Sequence, residues 1–120
     1  MTGLNYVGLS NQLGYHWNGV AASYNWGSGL VLPDQTWCMV AVSVNSSSAV
    51  AYLCQASGIT SAINNISHTS TTINAIRINS DSEGSRFAKQ STAIASIYNR
   101  ALSAAEIQQN FNAYRSRFGV

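Results

Sequence analysis

The pattern of hydrophobic and polar positions changes at about residue 100 of this chain. Before that point, apolar residues form short runs separated by Ser, Asn and Gly, which is typical of short strands joined by polar turns. After it, Ile107, Phe111, Tyr114 and Phe118 follow at spacings of four, three and four, which places them on one helix face. The pattern predicts an all-β domain closed by one short C-terminal helix, with that apolar stripe facing a sheet.

The helix is predicted over about residues 103–118, and its start carries two local signals. Ser103 and Glu106 match the S-x-x-E capping box, in which each side chain satisfies a backbone N–H of the first turn. Leu102 and Ile107 occupy the positions of a hydrophobic staple around that turn.

The end of this helix is predicted by charge and by glycine. Arg115 and Arg117 fall in the last turn, where positive charge is favourable for the helix dipole, and Gly119 is suited to the C-terminal stop. Both arginines lie off the apolar stripe. We therefore expect Arg115 and Arg117 to be available for contact with a partner.

Residues 36–44 ("TWCMVAVSV") form the clearest predicted strand, because they are apolar on both faces. We expect this strand to lie at the centre of the core, with residues 49–54 ("AVAYLC") running back beside it after the turn "NSSS". Cys38 and Cys54 lie in these two runs. Buried free thiols are one interpretation, and a disulfide formed in an oxidising compartment is the other.

The second half of the chain predicts two more strands. Residues 73–79 ("INAIRIN") alternate, which places Ile76 and Ile78 inward on a half-exposed strand. Residues 92–99 ("TAIASIYN") are the last predicted strand before the helix. Residues 58–72 show no sustained periodicity and are interpreted as a loop with at most one short strand.

Four aromatic residues form two pairs with a spacing of two. Tyr15 and Trp17 lie in "GYHWN", and Tyr24 and Trp26 lie in "SYNWG". Because a spacing of two places side chains on one face of a strand, residues 4–32 are predicted to form a hairpin with an aromatic face. That face could be core, which small sandwiches fill with aromatic side chains, or it could stack on sugar rings.

The amino-acid composition argues against several classes of function. Charged residues make up 8% of the chain, against about 25% in average soluble proteins. The net charge of +2 comes from scattered Arg and Lys, which argues against a nucleic-acid-binding face. No apolar run approaches the roughly 20 residues of a membrane span, and residues 1–10 lack the features of a signal peptide, so we expect synthesis in a host cytoplasm.

Several motifs together resemble the laminin G-like, concanavalin A-like jelly-roll domains. They are "TWCMVAVSV", "AVAYL", "IRIN", "RF" and "AIASIYNRALSAAEI". The earlier segments "LGYHWN" and "YNWGSGLVLP" are also similar to segments of bacterial and viral members, so the resemblance covers about residues 4–107. In that family a strand opening with Trp precedes a strand bearing Tyr, and the last strand runs into a short "raLs..Ei" helix. The resemblance implies one domain over residues 1–120, an antiparallel β-sandwich of jelly-roll type. Such domains recur in phage and viral structural proteins.

Two departures from that family affect the interpretation. Members usually exceed 120 residues and begin with strands that have no counterpart before Leu4, and a common glycine is Asn79 here. A sandwich without those strands exposes an apolar face and unpaired strand edges. Neighbouring copies could complete the fold, the chain could be a compact version within an assembly, or it could be the tail of a longer polypeptide.

Candidate catalytic and metal-binding groups are few. The carboxylates are Asp34, Asp81, Glu83 and Glu106, without the paired arrangement by which related glycoside hydrolases act. His16 and His68 lie in no nucleophile motif. Residues 79–84 alternate oxygen ligands as calcium loops do, but Gln90 stands where a closing Glu would be, so only weak calcium binding is considered and no other cofactor is expected.

These observations favour a non-enzymatic virion structural protein. It would be a phage capsid decoration (cement) protein or another surface subunit, in contact with other copies of itself and with virion proteins such as a major capsid protein. The alternative is a carbohydrate-binding module of a tail fibre or surface protein. Its aromatic face of Tyr15, Trp17, Tyr24 and Trp26 would bind host-surface glycans.

Overall fold

The structure, a computed structural model, describes residues 3–7, 11–80 and 88–120. The elements are β1 (Gly3–Val7), β2 (Gln12–His16), α1 (Ala21–Tyr24), β3 (Met39–Val44), β4 (Ala49–Gln55), β5 (Gly58–Asn64) and α2 (Ala104–Phe118). Strands β1 and β2 form a two-stranded antiparallel sheet, and β3, β4 and β5 form a three-stranded one in that order. Neither described helix has the length and hydrophobicity of a membrane span. The prediction of a β-rich chain with one C-terminal helix is confirmed, while the jelly-roll topology stays a prediction.

Strand β4 is the central strand of the larger sheet. The residues from Ala49 to Cys54 are all buried except Val50, which is half-buried. In β3, by contrast, every residue is half-buried. The prediction that residues 36–44 are central was therefore wrong, since that run supplies an edge strand that begins only at Met39. Both runs are apolar on both faces, and this pattern does not reveal which strand has neighbours on two sides.

One face of the three-stranded sheet packs against α2. The buried cluster consists of Tyr52, Cys54, Ile107 and Phe111, and Leu102 packs against it. The Ser43 hydroxyl also donates a 2.6 Å hydrogen bond to the Leu102 carbonyl, which fixes the chain where it enters the helix.

The opposite face of the sheet meets the first part of the chain. Ala49 is paired with Asn64 in the sheet register, so both side chains lie on the same face. Asn64 contacts Tyr15 of β2 and the carbonyl of Ala22 in α1. The three-stranded sheet thus lies between α2 on one side and the β1–β2 sheet with α1 on the other.

Two predicted strands are not formed. Residues 71–79 and 91–98, named here the extended segments, contain neither helix nor strand, and a single bridge follows at Ser80. Ile76 and Ile78, predicted to point inward, are 62% and 53% exposed. Alternation shows that a segment could form a strand, but a strand also needs a neighbour. Conversely, residues 58–72 contain the seven-residue strand β5, because β4 offers it a complete pairing edge.

Both ends of α2 follow the sequence prediction. The Ser103 hydroxyl accepts a hydrogen bond from the Glu106 N–H, and the Glu106 carboxylate accepts one from the Ser103 N–H at 2.8 Å. Arg100 reinforces this cap with a bidentate ion pair to Glu106. Gly119 ends the helix in the left-handed conformation at φ 70°, where a glycine avoids the clash of a Cβ atom.

The apolar stripe of α2 is only partly buried. Ile107 and Phe111 are buried and Phe118 is half-buried, but Tyr114 is 47% exposed, contrary to the prediction of a continuous buried stripe. The buried cluster reaches only as far as Phe111, whose ring the Arg115 guanidinium covers at 5.0 Å.

The two cysteines are free thiols. Cys54 is fully buried, and burial, with a smaller contribution from Cys38, raises the pKa of the Cys54 thiol to about 11. Cys38 is half-buried, so the interpretation of buried free thiols holds fully only for Cys54.

The Glu106 cap predicts a specific acid sensitivity. Hydrogen bonds from Arg100, and then from Ser103, lower the pKa of Glu106 from 4.5 to about 2. Because the folded-state pKa is depressed, the stabilisation is complete above pH 4.5 and is lost as the pH falls through the range towards 2. Thermal unfolding should show a melting-temperature gap between wild type and Glu106→Gln that narrows over this range. A gap that stays constant would contradict the role of the ionised cap.

Candidate functional site

The four predicted aromatic site residues lie in different elements of the structure. Tyr15 lies on β2 and is 1% exposed, while Trp17 directly follows that strand and is half-buried. Tyr24 is the last residue of α1, and half-buried Trp26 lies two residues beyond it. The predicted hairpin of "GYHWN" with "SYNWG" was therefore wrong, since β2 pairs with β1 and the second run begins in a helix.

Local hydrogen bonds of Ser23 explain why this second run is helical. Its buried hydroxyl accepts from the Trp17 N–H at 3.0 Å and donates to the Val20 carbonyl at 2.7 Å. Asn18 and Gly19 have φ values of 48° and 75°, which turn the chain immediately after Trp17. Side chains such as Ser that bond to nearby backbone favour tight turns over strands.

Tyr15, Trp17, Trp26 and His68 form an aromatic cluster. Tyr15 packs edge-on against Trp26 and at a tilt against His68, each with ring centroids 5.7 Å apart. Trp17 packs perpendicular to His68 at 5.8 Å. Tyr24 lies outside this cluster, against His16 at 5.0 Å. His68 therefore belongs to the site although it lies in a segment predicted as loop. In the sequence, the one feature that could have pointed to His68 is an ionisable ring among polar residues.

A buried polar network lies at the centre of the aromatic cluster. The Asn64 amide donates 3.0 Å hydrogen bonds to the Tyr15 hydroxyl and to the Ala22 carbonyl. The Tyr15 hydroxyl lies 2.8 Å from Nε2 of His68. Which of the two atoms donates this hydrogen bond depends on the tautomer of the His68 ring.

Burial favours the uncharged forms of His68 and Tyr15. It lowers the pKa of His68, and the nearby backbone groups of Asn45 and Ile66 oppose this shift only in part. It raises the pKa of Tyr15 against the smaller opposite effect of Asn64. Within the described part of the chain, Nδ1 of His68 has no hydrogen-bond partner of good geometry. The arrangement joins β2, α1 and β5 through neutral hydrogen bonds.

Trp17 is held at the edge of the aromatic cluster by a loop. Its indole N–H donates a 2.8 Å hydrogen bond to the Thr69 carbonyl, and the neighbouring Asn18 amide bonds to the Thr69 hydroxyl and the Ser70 carbonyl. Tyr15 has no exposed ring face for a sugar to stack on. Within the aromatic cluster, only Trp17 and Trp26 are partly exposed to solvent.

The two arginines at the end of α2 have different environments. Arg115 is half-buried, lies over the Phe111 ring and donates a 2.8 Å hydrogen bond to the Val120 carbonyl. Arg117 is exposed and lies over the Phe118 ring at 5.7 Å. Of the two predicted contact residues, Arg115 is thus engaged within its own chain and Arg117 points outward.

The predicted calcium loop lies largely outside the described residues. Its first residue, Asn79, is described, and its side-chain oxygen accepts hydrogen bonds from Gln90 at 2.8 Å and from Thr92 at 2.9 Å. Asn79 adopts φ 62°, a conformation that Gly and Asn tolerate best. Within the described ranges, no group of three or more His, Cys, Asp or Glu side chains is placed to hold a metal ion.

Tyr15→Phe should destabilise the protein by about 1–3 kcal/mol, because it leaves buried hydrogen-bonding groups of Asn64 and His68 without a partner. Tyr98→Phe is the matched control, since its exposed hydroxyl accepts only from Asn110 at the surface. We expect that control to stay within about 0.5 kcal/mol of wild type. Denaturant unfolding of the three proteins measures both effects, and equal losses would show that the buried network does not stabilise the fold.

The same network predicts a loss of stability at mildly acidic pH. Because the folded-state pKa of His68 is lowered, its neutral form stabilises the fold fully above pH 6.5, and this contribution falls as the pH drops below that value. Titration by NMR should place the His68 midpoint below 6.5 in wild type. A midpoint at or above the ordinary value would contradict a neutral, buried ring.

No protein-family model matches the chain, and no curated protein or solved structure is significantly similar to it.

Proposed function

We propose that this chain is a non-enzymatic structural subunit of a virion, a capsid decoration protein or another surface subunit, which stabilises the particle through contacts between subunits. The observation that carries the proposal is the exposure of isoleucines in both extended segments. They are 39–62% exposed and comprise Ile73, Ile76, Ile78, Ile94 and Ile97. Isolated exposed apolar residues are common, but so many within two short segments indicate a surface that a partner covers.

Burial of these isoleucine side chains in a contact would contribute favourable free energy. Full burial of an Ile side chain contributes about 1.5–3 kcal/mol, so each of these half-exposed residues offers on the order of 1 kcal/mol on association. Five of them together offer about 5 kcal/mol, which is close to the low end of the roughly 4–15 kcal/mol that association costs, so backbone pairing must add to a stable contact.

The backbone of the extended segments is suited to the same role. In the part of the chain that the structure describes, neither segment lies in a sheet, and β3 and β5 each pair with β4 alone. Backbone N–H and C=O groups that lie outside a sheet can pair with a strand of another chain. This supports a jelly roll that neighbouring subunits complete.

The assignment to a virion rests on the resemblance to laminin G-like domains. Two structural features fit that resemblance. Asn79 adopts a left-handed conformation at the position where the family commonly has glycine. The "RALSAAEI" motif leads into a capped helix that begins at Ala104.

A carbohydrate-binding module has less support. Tyr15 is buried, Tyr24 lies apart from the aromatic cluster, and the Trp17 N–H is already bonded to Thr69. The geometry therefore favours a structural role for these rings over a flat sugar platform.

An Ile76→Asn, Ile97→Asn double variant tests the proposal. Both positions are exposed, so the folded subunit should keep its stability within about 1 kcal/mol, while higher-order assembly is lost because the covered surface becomes polar. Sedimentation velocity across a wide concentration range, with electron microscopy of the assemblies, measures this. The Ile76→Val, Ile97→Val variant is the control and should assemble as wild type does. A wild-type protein that stays monomeric and never associates with particles would disprove the proposal.

A further inference from the structure

An aromatic surface lies at the C-terminal end of α2, apart from the aromatic cluster. The Trp37 ring packs at a tilt against the Phe118 ring, with centroids 5.1 Å apart, and Trp37 is 42% exposed. The Arg117 guanidinium lies over the same Phe118 ring. Exposed Tyr114 is one helical turn before these two helix residues and so lies on the same surface.

A carboxylate also precedes this surface closely in the chain. Asp34 is exposed in the bend formed by residues 34–36, three positions before Trp37. We name Asp34, Trp37, Tyr114, Arg117 and Phe118 the Trp37 patch.

The two charges of the Trp37 patch are available for intermolecular contacts. Among the residues that the structure describes, the one ion pair joins Arg100 to Glu106, and neither Asp34 nor Arg117 has an opposite charge within reach. In a chain with only 8% charged residues, two unpaired charges of opposite sign beside an exposed Trp are a distinctive combination.

The composition of the Trp37 patch is that of a protein contact. Trp, Tyr and Arg are the residues most enriched among those that contribute most binding energy, because they combine a large apolar area with a polar group. Arg117 already lies over an aromatic ring, so its conformation is partly fixed before any partner arrives.

We propose that the Trp37 patch is a two-fold contact between two copies of this chain, in which each Asp34 pairs with the Arg117 of the other copy around the central Trp37 side chains. A two-fold contact brings residue i against residue j and residue j against residue i, so a patch with one acid and one base satisfies both charges twice. A partner of a single charge sign would leave one of them buried without a counter-charge, which is costly. This inference rests on the proposed function, since it names one contact through which the structural subunit would assemble.

Charge reversal tests the contact. Arg117→Glu places a second carboxylate opposite Asp34, and Asp34→Arg places two guanidinium groups opposite each other, so each single variant should dimerise at least about tenfold more weakly than wild type. An equimolar mixture of the two variants should form heterodimers, because one copy then carries an acid at both positions and the other a base at both, so both opposing pairs join an acidic to a basic side chain. The Asp34→Arg, Arg117→Glu double variant should dimerise as wild type does, because both opposing pairs are again of opposite sign and its net charge is unchanged.

Lys89→Glu is the matched control. It makes the same charge change as Arg117→Glu at an exposed residue outside the Trp37 patch, and dimerisation should be unchanged. Sedimentation equilibrium measures all affinities, and circular dichroism checks that each variant is folded. Since the Trp37 patch lies outside the extended segments, the Ile76→Asn, Ile97→Asn variant should still dimerise.

The outcomes separate this inference from the proposed function. Assembly of wild type that neither single variant weakens, or weakening that the double variant does not reverse, would overturn the two-fold contact and leave the structural role standing. A wild-type protein that is monomeric and does not associate with particles would overturn both. Weakening by each single variant, restored in the double variant, establishes the contact.

Discussion

The burial of both faces of strand β4 is the constraint on which the rest of the structure depends. Tyr52 and Cys54 are covered by the helix α2, while Ala49 lies on the face that meets the first part of the chain. A strand buried on two sides can exist only between two layers, so the position of α2 and that of the β1–β2 sheet are both fixed by the same seven residues. The small side chain of Ala49 lets the first layer approach closely, and the larger Tyr52 fills the space under the helix.

That close approach brings polar groups into the interior, and their hydrogen bonds decide what the aromatic residues do. Asn64 lies opposite Ala49 and would be buried without a partner if Tyr15 and the Ala22 carbonyl did not bond to it. The Tyr15 hydroxyl in turn bonds to Nε2 of His68. Because the Tyr15 hydroxyl bonds to both Asn64 and His68, the rings are held by the requirements of folding. The surfaces that we propose for partners lie elsewhere, on the extended segments and at the end of α2.

Features encoded by adjacent residues could be predicted from the sequence, and features that depend on distant neighbours could not. The α2 cap at Ser103 and the left-handed Gly119 are set by contacts within a few residues, and both are confirmed. The order of strands in the sheet, the burial of His68 and the absence of strands in the extended segments depend on residues far away in the chain. Tyr24 shows the same limit at short range, since the hydroxyl of Ser23 overrides a spacing of two that is typical of a strand.

A surface with so few charges limits the ways in which this protein could recognise a partner. Long-range electrostatic steering needs clustered charge, and here the charged residues are only 8% of the chain and are scattered. Recognition must then rely on apolar packing, on backbone pairing and on a few ion pairs whose positions set the geometry. The exposed isoleucines would offer the first of these, the extended segments outside the sheets would offer the second, and Asp34 with Arg117 would offer the third. A polar but nearly neutral Ser- and Asn-rich surface elsewhere would keep such contacts confined to these places, because it has little to offer a non-specific partner.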